Sequence, residues 1–109
     1  MQHEALIDRS RAILQAINDI ERVLDENPIA EPNKVAVTTL QEIANRLSRQ
    51  HKPAGDHARQ IHRLGTLFYG ERRHQQRGGG AAALYAAMRV ALLDQILLAA
   101  KDLSAREEA

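Results

Sequence analysis

A chain of 109 residues with no cysteine has room for one hydrophobic core and no second, and it excludes disulfides, thiolate metal sites and thiol nucleophiles. Its net charge of +1 hides a segregation: residues 46–77 hold eight basic and two acidic side chains, a local charge of +6, against −4 before them and −1 after. The missing cysteines, and an N-terminus (MQHEALIDRS) with no basic stretch leading into an apolar run, set the expectation of a cytoplasmic protein.

In chain order, the first predicted helix covers about residues 3–27. Leu6, Ile13, Ile17, Ile20 and Leu24 fall on one helical face, the other face is charged, and Pro28 ends the pattern. A second helix is expected over about residues 33–51. Asn33 suits its cap, Val37, Leu40, Ile43, Ala44 and Leu47 form its apolar stripe, and Lys52-Pro53 closes it because a residue before proline is pushed away from helical geometry. The run VAVTTL at residues 35–40 is the best strand candidate, yet it fits the same helical stripe.

The third predicted helix spans about residues 56–76, with Asp56 as cap after Gly55 and with Ile61, Leu64, Leu67 and Phe68 on one side. Gly65 and Gly70 each cost about 1 kcal/mol relative to alanine, so this helix depends on tertiary packing. The glycine run at residues 78–80 separates it from a fourth helix, about residues 81–104, followed by a fraying tail over residues 105–109. Apolar residues surround the fourth helix rather than forming a stripe: Leu84, Tyr85, Met88, Val90, Leu92, Leu93, Ile96, Leu97 and Leu98. Such a helix seeks burial on most sides. The expectation is that Leu84, Tyr85, Met88, Leu92 and Ile96 meet a second chain, giving a homodimer or a larger complex. Arg89, Asp94 and Gln95 near the centre of Ala81–Ala100 argue against a membrane span.

These segments predict an all-α single domain, and short connections make it an antiparallel up-down four-helix bundle. On that scaffold Arg46, Arg49 and Lys52 end the second helix, while Arg59 and Arg63, and further along Arg72, Arg73 and Arg77, follow on the third. The expected result is one basic ridge around the hairpin of helices two and three. Arginine outnumbers lysine seven to one in the block, and its planar fork takes two phosphate or carboxylate oxygens at once. Four histidines in the block, His51, His57, His62 and His74, would add charge at mildly acidic pH. A nucleic-acid backbone is the expected partner. Phe68 and Tyr69 are the block's only aromatics, too few for a base-stacking platform.

Two alternatives compete. A solvated basic face also keeps a small bundle soluble and complements a helix C-terminus, and Asp8, Asp19, Glu21, Asp25 and Glu26 of the first helix are internal candidates to neutralise it. The chain would then be a protein-protein adaptor or chaperone-like module. The second alternative comes from Arg46-Leu-Ser-Arg-Gln-His51, which resembles the Arg-x4-6-His motif of HEPN ribonucleases; that resemblance implies a dimeric helical bundle whose arginine and histidine act on RNA.

Other constellations fall short. Glu71-Arg-Arg-His74 has the spacing of a di-iron carboxylate motif but lacks its second copy. His62-Arg-Leu-Gly65 resembles the surroundings of the phosphoacceptor in histidine phosphotransfer bundles, with the following lysine missing and the glycine one position early. Arg77-Gly-Gly-Gly80 lacks the Lys-Ser/Thr ending of a nucleotide loop. No catalytic residue, metal site, cofactor or small-molecule substrate is expected.

Overall fold

The structure, a computed structural model, describes residues 2–108, and their side chains except at positions 2–7, 93, 104, 107 and 108. Leu6 and Leu93, counted in the apolar patterns above, lie outside the described side chains. The described residues are all-helical. Four helices come first: α1 Gln2–Glu26, α2 Lys34–Gln50, α3 Lys52–Phe68 and the short α4 Arg72–Arg77. A long rod follows, made of α5 Ala81–Val90, a π turn Ala91–Ile96 and α6 Leu97–Glu108. The molecule measures 49 × 21 × 20 Å.

α1 ends where Pro28 removes a backbone donor. The N–H of residue 28 would have bonded the Leu24 carbonyl, and the Tyr85 hydroxyl from α5 donates to that carbonyl instead, at 2.9 Å. Tyr69 likewise donates to the Asn27 carbonyl at 2.8 Å, so two tyrosines close the end of α1. Asn33 caps α2: its Oδ1 accepts from the Ala36 N–H at 3.0 Å and its Nδ2 donates to Asn27 Oδ1 at 2.9 Å.

His51, in an extended conformation, is the whole linker between α2 and α3. α3 starts at Lys52 rather than at Asp56, because Pro53 falls in the first turn, where a helix needs no donor and the fixed φ of proline suits it. It stops at Phe68, eight residues short of the expected end. The Tyr69 N–H bonds the Gly65 carbonyl, and the chain turns through Gly70 into α4. Gln75, 7 % exposed, locks that turn by donating to the carbonyls of Ala30 at 3.1 Å and Phe68 at 3.2 Å. Gly79 and Gly80, at φ +93° and +102°, then reverse the chain in a region that side chains disfavour.

α2 and α3 pack most closely. Gly55 rests directly on the backbone of Ser48, and Gly65 on the side chain of Leu40. α1 packs on α2 and α6, while α3 packs on α5 and the π turn. The core between them holds Ile13, Ile20, Leu24, Leu40, Ile43, Leu47, Ile61 and Phe68, each 2 % exposed or less, and each such side chain contributes about 1.5–3 kcal/mol by leaving water.

The rod differs from expectation. Leu84, Met88, Leu92, Ile96 and Ala100 recur at steps of four, with Leu103 next, and all are buried within the chain. A four-residue step overshoots an α-helical turn by about 40°, which over four steps would carry the stripe roughly 160° around the helix. The wider π turn takes part of that rotation back, so a sequence that reads as apolar all round folds into one inward stripe. Leu84, Met88, Leu92 and Ile96 are therefore core rather than an intermolecular surface, and Tyr85 is half-buried with its hydroxyl committed to Leu24. Among the described side chains of the rod, Val90 and Leu98 are the large apolar residues more than half exposed. The rod runs helical to Glu108, where a fraying tail was expected. By length and composition alone, Ala81–Leu103 is long and apolar enough to cross a membrane.

Candidate anion-binding surface

The basic block does not form one ridge. Because α3 stops at Phe68, Arg72, Arg73 and Arg77 leave it on α4, which is tied to the loop after α1 through Gln75 and Ala30. Arg49 and Lys52 flank the opposite end of α3. Its 17 residues separate the two groups by about 25 Å, some three screening lengths at physiological salt, so the groups act independently.

Arg46 takes a third direction. It faces α1, where its guanidinium lies 3.6 Å from Asp19, and it lines the groove between α1 and α2 with Val23, Thr39 and Ile43. Lys52 pairs with Asp56 at 3.2 Å and Arg73 with Glu71 at 2.9 Å. The Lys52 and Arg73 pairs are exposed and Asp19 of the Arg46 pair is half-buried; an exposed ion pair contributes at most about 1 kcal/mol. Arg49, Arg59, Arg63, Arg72 and Arg77 are exposed and form no ion pair among the described residues. Of the acidic residues on α1, Asp19 meets Arg46 and Asp25 meets Arg89 of the rod, so the first helix neutralises little of the block.

Arg59 and Arg63 stand one turn apart on α3. With His62 and Thr66 they form one bank of a shallow groove whose other bank is Gln41, Ala44 and Asn45 of α2. Polar amides, a hydroxyl and two guanidinium groups line it, and no carboxylate does. Burial pushes the His62 imidazole below its ordinary range, so it stays neutral beside them.

The hairpin tip holds charges that the sequence block did not suggest. Arg9 from α1 and Arg106 from α6 lie near His51, whose protonation is depressed first by burial and then by these two guanidinium groups, with Asp102 acting the other way. The chain's two ends thus add cations to the tip already carrying Arg49 and Lys52. Nothing in the spacing of Arg9 or Arg106 marks them, since each sits in an ordinary charged stretch; only tertiary packing brings them together.

The motif-like spacings come apart. Arg46 points to α1, while His51 lines a cleft against α6, so the HEPN-type pair faces two different seams. Glu71 is engaged by Arg73 beside His74, and no group of three or more metal-ligating side chains occurs among the described residues. The chain matches no protein-family model, no curated protein and no solved structure.

Proposed function

We propose that the chain is a non-enzymatic helical module that holds the sugar-phosphate backbone of a nucleic acid along the hairpin of α2 and α3. The observation that carries this is the pair Arg59 and Arg63: exposed, about 6 Å apart along the helix axis, unpaired among the described residues and beside a groove without carboxylates. Arg49 and Lys52, nearer the tip, are the two further cations we assign to this row, Lys52 sharing its charge with Asp56. Arg72, Arg73 and Arg77 make a separate, weaker contact surface on α4.

The scaffold we propose beneath it is an antiparallel four-helix bundle. Ser48 meets Gly55, Leu40 meets Gly65, and the Asn33 N–H donates to the Tyr69 carbonyl at 3.0 Å, so α2 positions fall as α3 positions rise. Close packing at Gly55 and Gly65 fixes the register of α2 against α3. Val90 and Leu98 are the rod residues through which a protein partner or second copy would dock in the competing adaptor reading.

Fluorescence anisotropy with labelled DNA and RNA of mixed sequence, at several salt concentrations, tests the proposal. Four phosphate contacts predict a slope of log affinity on log salt of about −3.6 for duplex DNA. Arg59→Glu with Arg63→Glu should abolish binding, while Arg72→Glu should weaken it slightly. Binding that survives the double reversal, or that ignores salt, overturns the assignment.

A further inference from the structure

A second feature of the tip concerns what lies at the end of the bundle rather than along its side. Between the start of α3 and the rod is an open cleft of about 420 Å³ lined by His51, Pro53, His57, Gln95, Leu98, Ala99, Asp102, Leu103 and Arg106, within the size range of small-ligand sites. Its lining is divided. Pro53, Leu98, Ala99 and Leu103 make an apolar wall, and the imidazoles of His51 and His57, the Gln95 amide and the Arg106 guanidinium make a rim of hydrogen-bond donors. Arg9 does not line the cleft, but its charge acts on His51.

We infer that this cleft binds a phosphomonoester, with Arg106, His51 and His57 on its terminal oxygens and the attached carbon framework against Pro53, Leu98 and Leu103. The inference rests on the polyanion reading above and names an end-group for it. An internal phosphodiester carries one charge and two exits for the strand. The cleft instead joins an apolar wall to one guanidinium and two imidazole donors, a set that suits a terminal group with three acceptor oxygens.

Asp102 shares the rim and opposes an anion. It also explains how the site would answer one. Without ligand, burial first and then Arg9 and Arg106 hold the His51 imidazole below its ordinary range, with Asp102 acting the other way. A dianion seated beside Arg106 opposes the coulombic part of that effect, so His51 gains proton affinity on binding and can donate toward the phosphate. Lys52, which lies next to His51, is held by Asp56.

The test uses the full chain, adenosine 5′-monophosphate as a free probe, and one oligonucleotide in 5′-phosphorylated and 5′-hydroxyl forms. The phosphorylated strand should bind roughly tenfold more tightly, with proton uptake by calorimetry in two buffers and a shift of the His51 ring resonances. Arg106→Gln should erase the tenfold difference while leaving the salt-dependent binding that depends on Arg59 and Arg63, and Asp102→Asn should widen it. If the mononucleotide binds as tightly as the phosphorylated strand, the ligand is a free nucleotide and the site stands. Failure of the nucleic-acid reading would appear as loss of both strands with the mononucleotide response intact. Equal affinity for the two strands, together with no His51 response to the mononucleotide, overturns the inference.

Discussion

Gly55 of α3 lies against the main chain of Ser48 in α2: a Cβ at Gly55 would come within 2.7 Å of the Ser48 amide nitrogen and nearer still to its Cα and Oγ. Main chain cannot rotate away, so Gly55→Ala must separate the two helices. The expected cost is about 3 kcal/mol or more, at the upper end of overpacking. Gly65→Ala meets only the end of the Leu40 side chain, at 2.7 Å. There the repacking cost is set against a gain of about 1 kcal/mol in helix propensity, and the net change should stay within about 1 kcal/mol. Urea denaturation of the two variants should rank them clearly; equal losses would mean that the helices do not touch as described.

Ser48 offers the converse. Its hydroxyl oxygen is buried with no hydrogen-bond partner among the described residues, a state that costs about 1–3 kcal/mol. Ser48→Ala should raise stability by about 1 kcal/mol, read as a higher urea midpoint at unchanged slope. Ser48→Ala should fail to rescue Gly55→Ala, because the clash with the Ser48 main chain persists.

Tyr85 is expected to matter through its hydroxyl. It serves the Leu24 carbonyl that Pro28 leaves without a donor, and it accepts from Arg89, whose guanidinium also reaches Asp25 and lies over the Tyr85 ring. Tyr85→Phe keeps the ring, loses both bonds and should cost about 1–2 kcal/mol. Ala at Asp25 should cost less, since that pair is exposed. Thermal unfolding of the two variants gives the comparison.

Stability should fall at both ends of the pH range. His51 and His62 are held below the ordinary imidazole value in the folded chain, His51 by burial and then by Arg9 and Arg106, and His62 by burial. As pH drops through about 6.5 the unfolded chain takes up protons first, and folding loses stability. Tyr69 is pushed up to about 12, chiefly by burial and next by Tyr85. Between pH of about 10, where a free tyrosine ionises, and that value, the unfolded chain loses its proton first, so stability declines there too. Urea midpoints across pH should show a plateau between the two limbs. His51→Gln with His62→Gln should flatten the acid limb, and Tyr69→Phe the alkaline one.

The all-helical character was legible because helical periodicity and the proline and glycine punctuation agree along the chain. The details that moved are those set by tertiary context. Pro53 reads as a stop, yet in the first turn of α3 it is a start. Phe68 ends α3 because Gln75, seven residues on, bonds its carbonyl and holds the chain in a turn, which no local pattern announces. Leu84, Met88, Leu92 and Ile96 look like part of an all-round apolar surface on a 3.6-residue wheel; their four-residue spacing becomes a stripe only once the π turn is known. At the candidate site, residues close in sequence, such as Arg59 and Arg63, could be found from spacing. Arg9 and Arg106 could not, because opposite ends of the chain bring them to one place.

The π turn also fixes how long the rod must be. It packs Ala91–Ile96 into a coil one residue roomier than its neighbours, so the rod behaves like a spring holding a surplus link. Removing that link would let the coil tighten to ordinary α geometry, five residues then turning through about as much as six do now, so Ala100 and Leu103 would keep their inward bearing and the rod would lose only its slack.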